Sequence, residues 1–243
     1  MTTQLGPWPH APPCENLPVS RVLGVDACKA GWFGVALGDG CAYVAGTIAE
    51  LVGRAEADGP VDVVGIDIPI GLPDTTRRQA DVLARQAIGR LRASVFITPV
   101  RPALSAPDHR TASELNRKLA GEGISMQAFR LTPKLLQVEA WARVTHHRVV
   151  EVHPEVSFAT LAGEPLTASK HTWAGAELRR GLLGNAGIDL HDLGSPGRFA
   201  GVDDVLDAAV VAWTARRVAA GEARAMPDPP EAFSDGWPSA IWR

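Results

Sequence analysis

Two short apolar runs, each ending in an acid, constrain this chain most. Val22-Leu23-Gly24-Val25-Asp26 and Val61-Asp62-Val63-Val64-Gly65-Ile66-Asp67 are too short for helices and read as buried strands. Strand ends in an α/β sheet open onto the ligand crevice, so Asp26 and Asp67 are candidate site residues. An acid at such a place also serves simply to cap the loop that follows. Between the two runs, Gly31 closes a turn and Trp32 to Leu37 reads as a second strand. Gly38-Asp39-Gly40 is a tight hairpin signal, and Cys41 to Ala45 reads as a third strand. Thr47 then caps a helix with Ile48, Leu51, Val52 and Ala55 on one face.

Further along, Val149 to His153 reads as a fifth strand. Helices are expected at about 75–92, 132–146, 155–162, 172–185 and 203–220. Thr132-Pro133 is a cap-plus-first-position start for the second of these. Three hairpin-linked strands followed by strands reached through helices make a mixed sheet, not the uniform alternation of a doubly wound fold. Residues 1–20 hold five of the 19 prolines and read as an extended arm. Residues 226–243 are again proline-rich and read as a tail, leaving 21–225 as one body. Pro99, Pro102 and Pro107 break up the stretch 94–146, which reads as an insertion.

Bulk properties narrow the function classes. A net charge of −3 announces no polyanionic partner. No apolar run reaches the roughly 18 residues of a membrane span, so no membrane partner is expected. Three cysteines, Cys14, Cys28 and Cys41, have no metal-like spacing and form no disulfide framework. With neither a basic start nor an apolar core at Met1–Leu17, the expected location is a reducing cytoplasm.

More acids join the first two. Asp204 and Asp207 are three apart, so they share a face of the last helix. Asp203 is a natural N-cap, whereas Asp207 lies a turn inside and is followed by Ala208-Ala209-Val210-Val211. In Glu151-Val-His-Pro-Glu-Val-Ser-Phe158 a strand runs into a helix. Glu155 falls in that helix's first turn, and His153 reads as a metal ligand, a general base or a satisfied loop histidine. Clustered acids without a His/Cys group favour a hard cation, Mg²⁺ or Mn²⁺, over zinc. Two such ions about 3.5–4 Å apart are the usual device for in-line attack on a phosphodiester. The segment 75–92 carries five Arg against one Asp, with Arg78, Arg85 and Arg92 seven apart. That stripe reads either as a phosphate-backbone contact or as a solvated helix face.

Taken together, Gly24-Val-Asp-Ala-Cys-Lys-Ala-Gly-Trp32, Gly65-Ile-Asp-Ile-Pro-Ile-Gly-Leu-Pro73, Arg77-Arg78, Ser94-Val-Phe96, Glu151 to Phe158, Ser169-Lys170 and Asp203-Asp-Val-Leu-Asp-Ala208 resemble the domain-of-unknown-function 429 family. The resemblance covers about residues 21–225. It implies an α/β ribonuclease H-like fold: a five-stranded mixed sheet, its first three strands antiparallel, flanked by helices, with 94–146 as a helical insertion that covers or shapes the site. It implies a nuclease-like hydrolase, with Asp26 and Asp67 as the first- and fourth-strand acids. Asp204 and Asp207 sit like the last-helix acids of resolvase-type nucleases similar in fold. On this reading Asp26, Asp67, Asp204 and Asp207 hold the metal and Glu155 joins the catalytic acids. Lys170, Arg77, Arg78 and His153 meet the substrate, a nucleic acid or a small phosphate ester. Two other readings share the core topology: an ATP-dependent phosphotransferase of the actin and sugar-kinase type, and a catalytically inactive binding module. Against the first, no Gly-Gly adenosine motif lies near the last helix and no second copy of the domain is seen in the sequence.

Overall fold

The computed structural model describes residues 21–243, so the proline-rich arm expected at 1–20 lies outside the described residues. The elements in chain order are β1 (Val22–Cys28), β2 (Gly31–Leu37), β3 (Ala42–Ala45), α1 (Ile48–Asp58), β4 (Val63–Ile66), α2 (Gln79–Ala87), α3 (Arg101–Leu104), α4 (His109–Ala120), α5 (Met126–Arg130), α6 (Thr132–Ala142), β5 (Arg148–Val152), α7 (Pro154–Ala162), α8 (Trp173–Asn185), α9 (Val202–Ala219), β6 (Ala225–Ala232) and β7 (Pro238–Trp242). The insertion 94–146 is helical as expected and carries α3 to α6. Among the described residues, no helix is long and apolar enough to cross a membrane, and Cys28 and Cys41 are free thiols.

One mixed sheet runs in the order β3-β2-β1-β4-β5-β7-β6. The first three strands are antiparallel neighbours, and β1, β4, β5 and β7 run parallel. Among the described residues the sheet therefore has seven strands, not five. Residues 225–242 are not a tail: β7 pairs with β5, and β6 closes the edge antiparallel to β7. Prolines misdirect the sequence reading here. Pro227, Pro229 and Pro230 sit on the edge strand around a register shift between Met226 and Glu231, and Pro238 opens β7. These are the places where a missing backbone N–H costs no ladder bond.

The strands alternate between two cores. Val22, Phe33, Val35, Val63 and Val150 face α8 and α9, while Leu23, Val25, Trp32, Val64 and Ile66 face α1 and α6. Gly24 and Gly65 are in register on β1 and β4, and α9 crosses this bare seam. A Cβ at Gly24 would lie 2.0 Å from the Ala212 nitrogen and 2.2 Å from the Ala208 carbonyl oxygen. A Cβ at Gly65 would lie 3.1 Å from Val211 Cγ1. The helix answers with small residues, Ala208, Ala212 and Ala215, all fully buried. This close contact sets Asp207, on the sixth residue of α9, over the ends of β1 and β4.

Candidate metal centre

Three acids converge where β1 and β4 end. Asp26 lies near the end of β1, Asp67 immediately follows β4, and Asp207 descends from α9. One carboxylate oxygen from each lies within 4.8 Å of the others. Asp26 and Asp207 are buried and Asp67 is partly open to the cavity. Two unit charges at that separation repel by roughly 3–4 kcal/mol at an effective dielectric near 20. One cation opposes them: Lys170 Nζ donates to Asp207 Oδ2. Three carboxylates against one ammonium leave a deficit that a bound cation or protons must fill.

Burial, reinforced by the neighbouring carboxylates, pushes every member up. Asp26 is raised well above the ordinary carboxyl range, first by burial and then by Asp67 and Asp207. Asp67 is pushed up to about 8 by burial and Asp207. Asp207 is pushed up to about 6 by burial, with Lys170 opposing. Lys170 is raised by the same acids despite its burial. The donors are also open: Asp207 Oδ1 is buried with no hydrogen-bond partner among the described residues. Among the described residues, Asp26 Oδ1 accepts only the adjacent Ala27 N–H, at 2.6 Å. An all-oxygen, charge-deficient group with an orphaned buried oxygen suits a hard divalent cation.

The group opens onto a cavity of about 500 Å³. Asp26, Asp67, His153, Glu155, Lys170 and Asp204 line it, as do Phe96, Gln127 and Leu131 from the insertion. Residues of the 94–146 stretch thus stand in the cavity wall. Burial holds the His153 imidazole down at about 4, so it is neutral at pH 7, and its Nδ1 has no partner.

Several expected site residues have other duties. Asp204 lines the cavity, but its Oδ2 accepts the Gly201 N–H at 2.9 Å, closing the first turn of α9. It is outside the converging trio because the helix is capped at Gly201 and not at Asp203, which puts Asp204 at the third helical position, where its carboxylate turns back to the Gly201 N–H. Glu155 also reaches the cavity wall, yet both its oxygens accept from Arg179 Nη2 at 2.7 Å. The same guanidinium donates to the Ala168 carbonyl at 3.0 Å and so fixes the strand of chain that carries Lys170.

Arg78 is fully buried and does not face solvent. It donates to Glu151 at 2.5 and 2.9 Å and to Asp81 at 2.8 Å, and reaches the Ile70 carbonyl at 3.0 Å. The expected helix 75–92 is shorter because Gly89 turns with φ +55° and residues 75–78 lie outside the helix, which removes the arginine stripe. Arg77 is exposed, pairs with Glu122 and does not line the cavity. Arg90, which the stripe omits, stands at the cavity wall instead.

The model of a family described as protein of unknown function (DUF429) matches residues 24–232. The chain belongs to this family. The DUF429 match takes in all three converging acids, Lys170 and the Arg78 network. No curated protein and no solved structure matches the chain.

Proposed function

We propose that this DUF429 protein is a metal-dependent phosphodiester hydrolase of nuclease type, built on a ribonuclease H-like sheet. The observation that carries the reading is the trio Asp26, Asp67 and Asp207, three carboxylates within 4.8 Å under one counter-charge, with Asp207 Oδ1 unpartnered. These residues would hold Mg²⁺ or Mn²⁺, which polarises a phosphoryl oxygen and lowers the pKa of water when bound. Lys170 anchors Asp207 through Oδ2 and leaves Oδ1 without a hydrogen-bond partner among the described residues. His153, neutral and unpartnered at Nδ1, accepts a hydrogen bond from a substrate hydroxyl. Arg90 meets a phosphate oxygen at the wall. Phe96 and Leu131 exclude water from the side of the insertion.

Among the described residues the arginine and lysine side chains at the cavity are Arg90 and Lys170, with Lys170 committed to Asp207, and no helical stripe of arginines faces it. A single nucleotide unit or small phosphate ester at the cavity is therefore favoured over tracking of a long duplex. The test is hydrolysis of bis(p-nitrophenyl) phosphate and of a labelled single-stranded oligonucleotide with Mn²⁺, for wild type and Asp67→Asn. Metal-dependent turnover that Asp67→Asn abolishes is expected. Turnover that persists in Asp67→Asn or without a divalent ion overturns the reading, and Asp67-dependent consumption of ATP would replace it with phosphotransfer.

A further inference from the structure

The opposite pole of the sheet carries a second group of metal-ligating side chains. Glu56 lies in the last turn of α1, and His146 and His147 lead into β5. One donor atom of each lies within 4.8 Å of the others. Both imidazoles address one oxygen: Glu56 Oε1 is 2.8 Å from His147 Nε2 and 3.7 Å from His146 Nε2. The two rings are 4.1 Å apart between centroids, and His147 stacks on Trp141 at 6.1 Å. The Thr145 hydroxyl sits 2.6 Å from His147 Nδ1, which leaves Nε2 to face the glutamate.

We propose that Glu56, His146 and His147 form a metal site for a zinc-class divalent ion, which clasps the end of α1 to the start of β5. The donor set is the first reason. Two imidazoles and one carboxylate suit a borderline transition ion such as Zn²⁺, whereas the all-oxygen acid trio suits Mg²⁺ or Mn²⁺. Distance is the second. Zinc bonds of about 2.0–2.1 Å at a tetrahedral angle hold donors about 3.3–3.4 Å apart. The separations of 2.8 and 3.7 Å bracket that value, so small side-chain rotations admit an ion. Support is the third. His147 is 4% exposed and locked by Thr145 and Trp141, the kind of partner that orients a ligating imidazole. His146 is 80% exposed, leaving solvent for a fourth position. The site is independent of the acid trio, because the whole of β5, about 17 Å of strand, separates His147 from His153.

The experiment is a Co²⁺ titration of the untagged full chain, read by visible absorption, with Zn²⁺ added last. Four-coordinate Co²⁺ with imidazole ligands absorbs far more strongly than six-coordinate Co²⁺ in an oxygen site, so the two sites report separately. One strongly absorbing equivalent is expected, displaced by Zn²⁺, together with a Zn²⁺-dependent rise in Tm. His146→Ala, at an exposed position that does not threaten the fold, should lose both signals, and Asp207→Asn should keep both. Thr145→Val should weaken the Co²⁺ affinity about tenfold. Equal strong-band titrations in wild type and His146→Ala, or no strong band in wild type, overturn the proposal whatever becomes of the phosphodiesterase reading.

Discussion

Glu151 and Asp67 occupy neighbouring strands, since Glu151 is in register with Ile66, the residue before Asp67. Glu151 is buried and Asp67 is partly open to the cavity, and the two carboxyls are treated in opposite ways. Glu151 accepts two bonds from Arg78 and one from the Ile70 N–H at 2.7 Å. Its partner acid Asp81 takes the same guanidinium and the Thr98 N–H. The trio of Asp26, Asp67 and Asp207 has one lysine among three acids and one buried oxygen with no partner. A buried carboxylate whose donors are all present is framework, and one left short of donors and charge is a site. The number of acids in a region does not separate the two; the balance around each oxygen does.

The largest effect should come from breaking the framework half of this contrast. Arg78→Met leaves Glu151 and Asp81 buried without a counter-charge, and removing one partner of a buried pair costs about 3–5 kcal/mol. Urea denaturation should show that loss with or without divalent metal. The site half should behave in the reverse manner. Asp207→Asn removes a repelling charge, so the metal-free variant should melt no lower than wild type. Mn²⁺ at a hundredfold excess over Kd should stabilise wild type by about 2.7 kcal/mol, and the variant should lose most of that shift. Equal shifts would move Asp207 to the framework class.

A pH series sharpens the same contrast with a smaller expected effect, because Asp67 is partly open to the cavity and solvent screens it. Its folded-state pKa, about 8, lies above its unfolded value, so the folded protein holds the extra proton between about pH 4 and pH 8. The stability it contributes is complete below that window and is lost as pH rises through about 8. The Tm of metal-free protein should therefore fall across that range, and saturating Mn²⁺ should flatten the fall. A Tm that rises with pH would show that these acids are satisfied as anions. The smallest effect belongs to Arg92→Gln, at an exposed residue, which should leave the urea midpoint unchanged.

The convergence of Asp26, Asp67 and Asp207 was legible in the sequence because each acid sat where hydrophobic patterning left no ordinary use for it. Asp26 and Asp67 end apolar strands, and Asp207 precedes an unbroken apolar run. Asp204 carried the same spacing signal, but a cap at Gly201 in place of Asp203 turns its carboxylate back to the helix start, and spacing alone does not resolve that. Arg78 was misplaced because a repeat of seven assumes an unbroken helix. Here Gly89 ends it, and residue 78 turns inward before the helix begins. The last two strands were hidden by prolines, whose cost depends on whether a strand is an edge, and this is known only once the sheet is assembled. The pairing of Glu155 with Arg179, across 24 positions, left no local trace in composition or periodicity.

The bare seam at Gly24 and Gly65 also bears on how loss of function would be distributed along the gene product. α9 rests on backbone and not on side chains at this point, so any atom added at Gly24 must displace the helix, and with it Asp207 relative to Asp26. Such a change leaves every acid chemically intact and still takes their oxygens out of range of one another. If the proposed activity holds, a survey of inactivating substitutions would place Gly24 in the same class as the acids, and a map of ligand contacts would omit it.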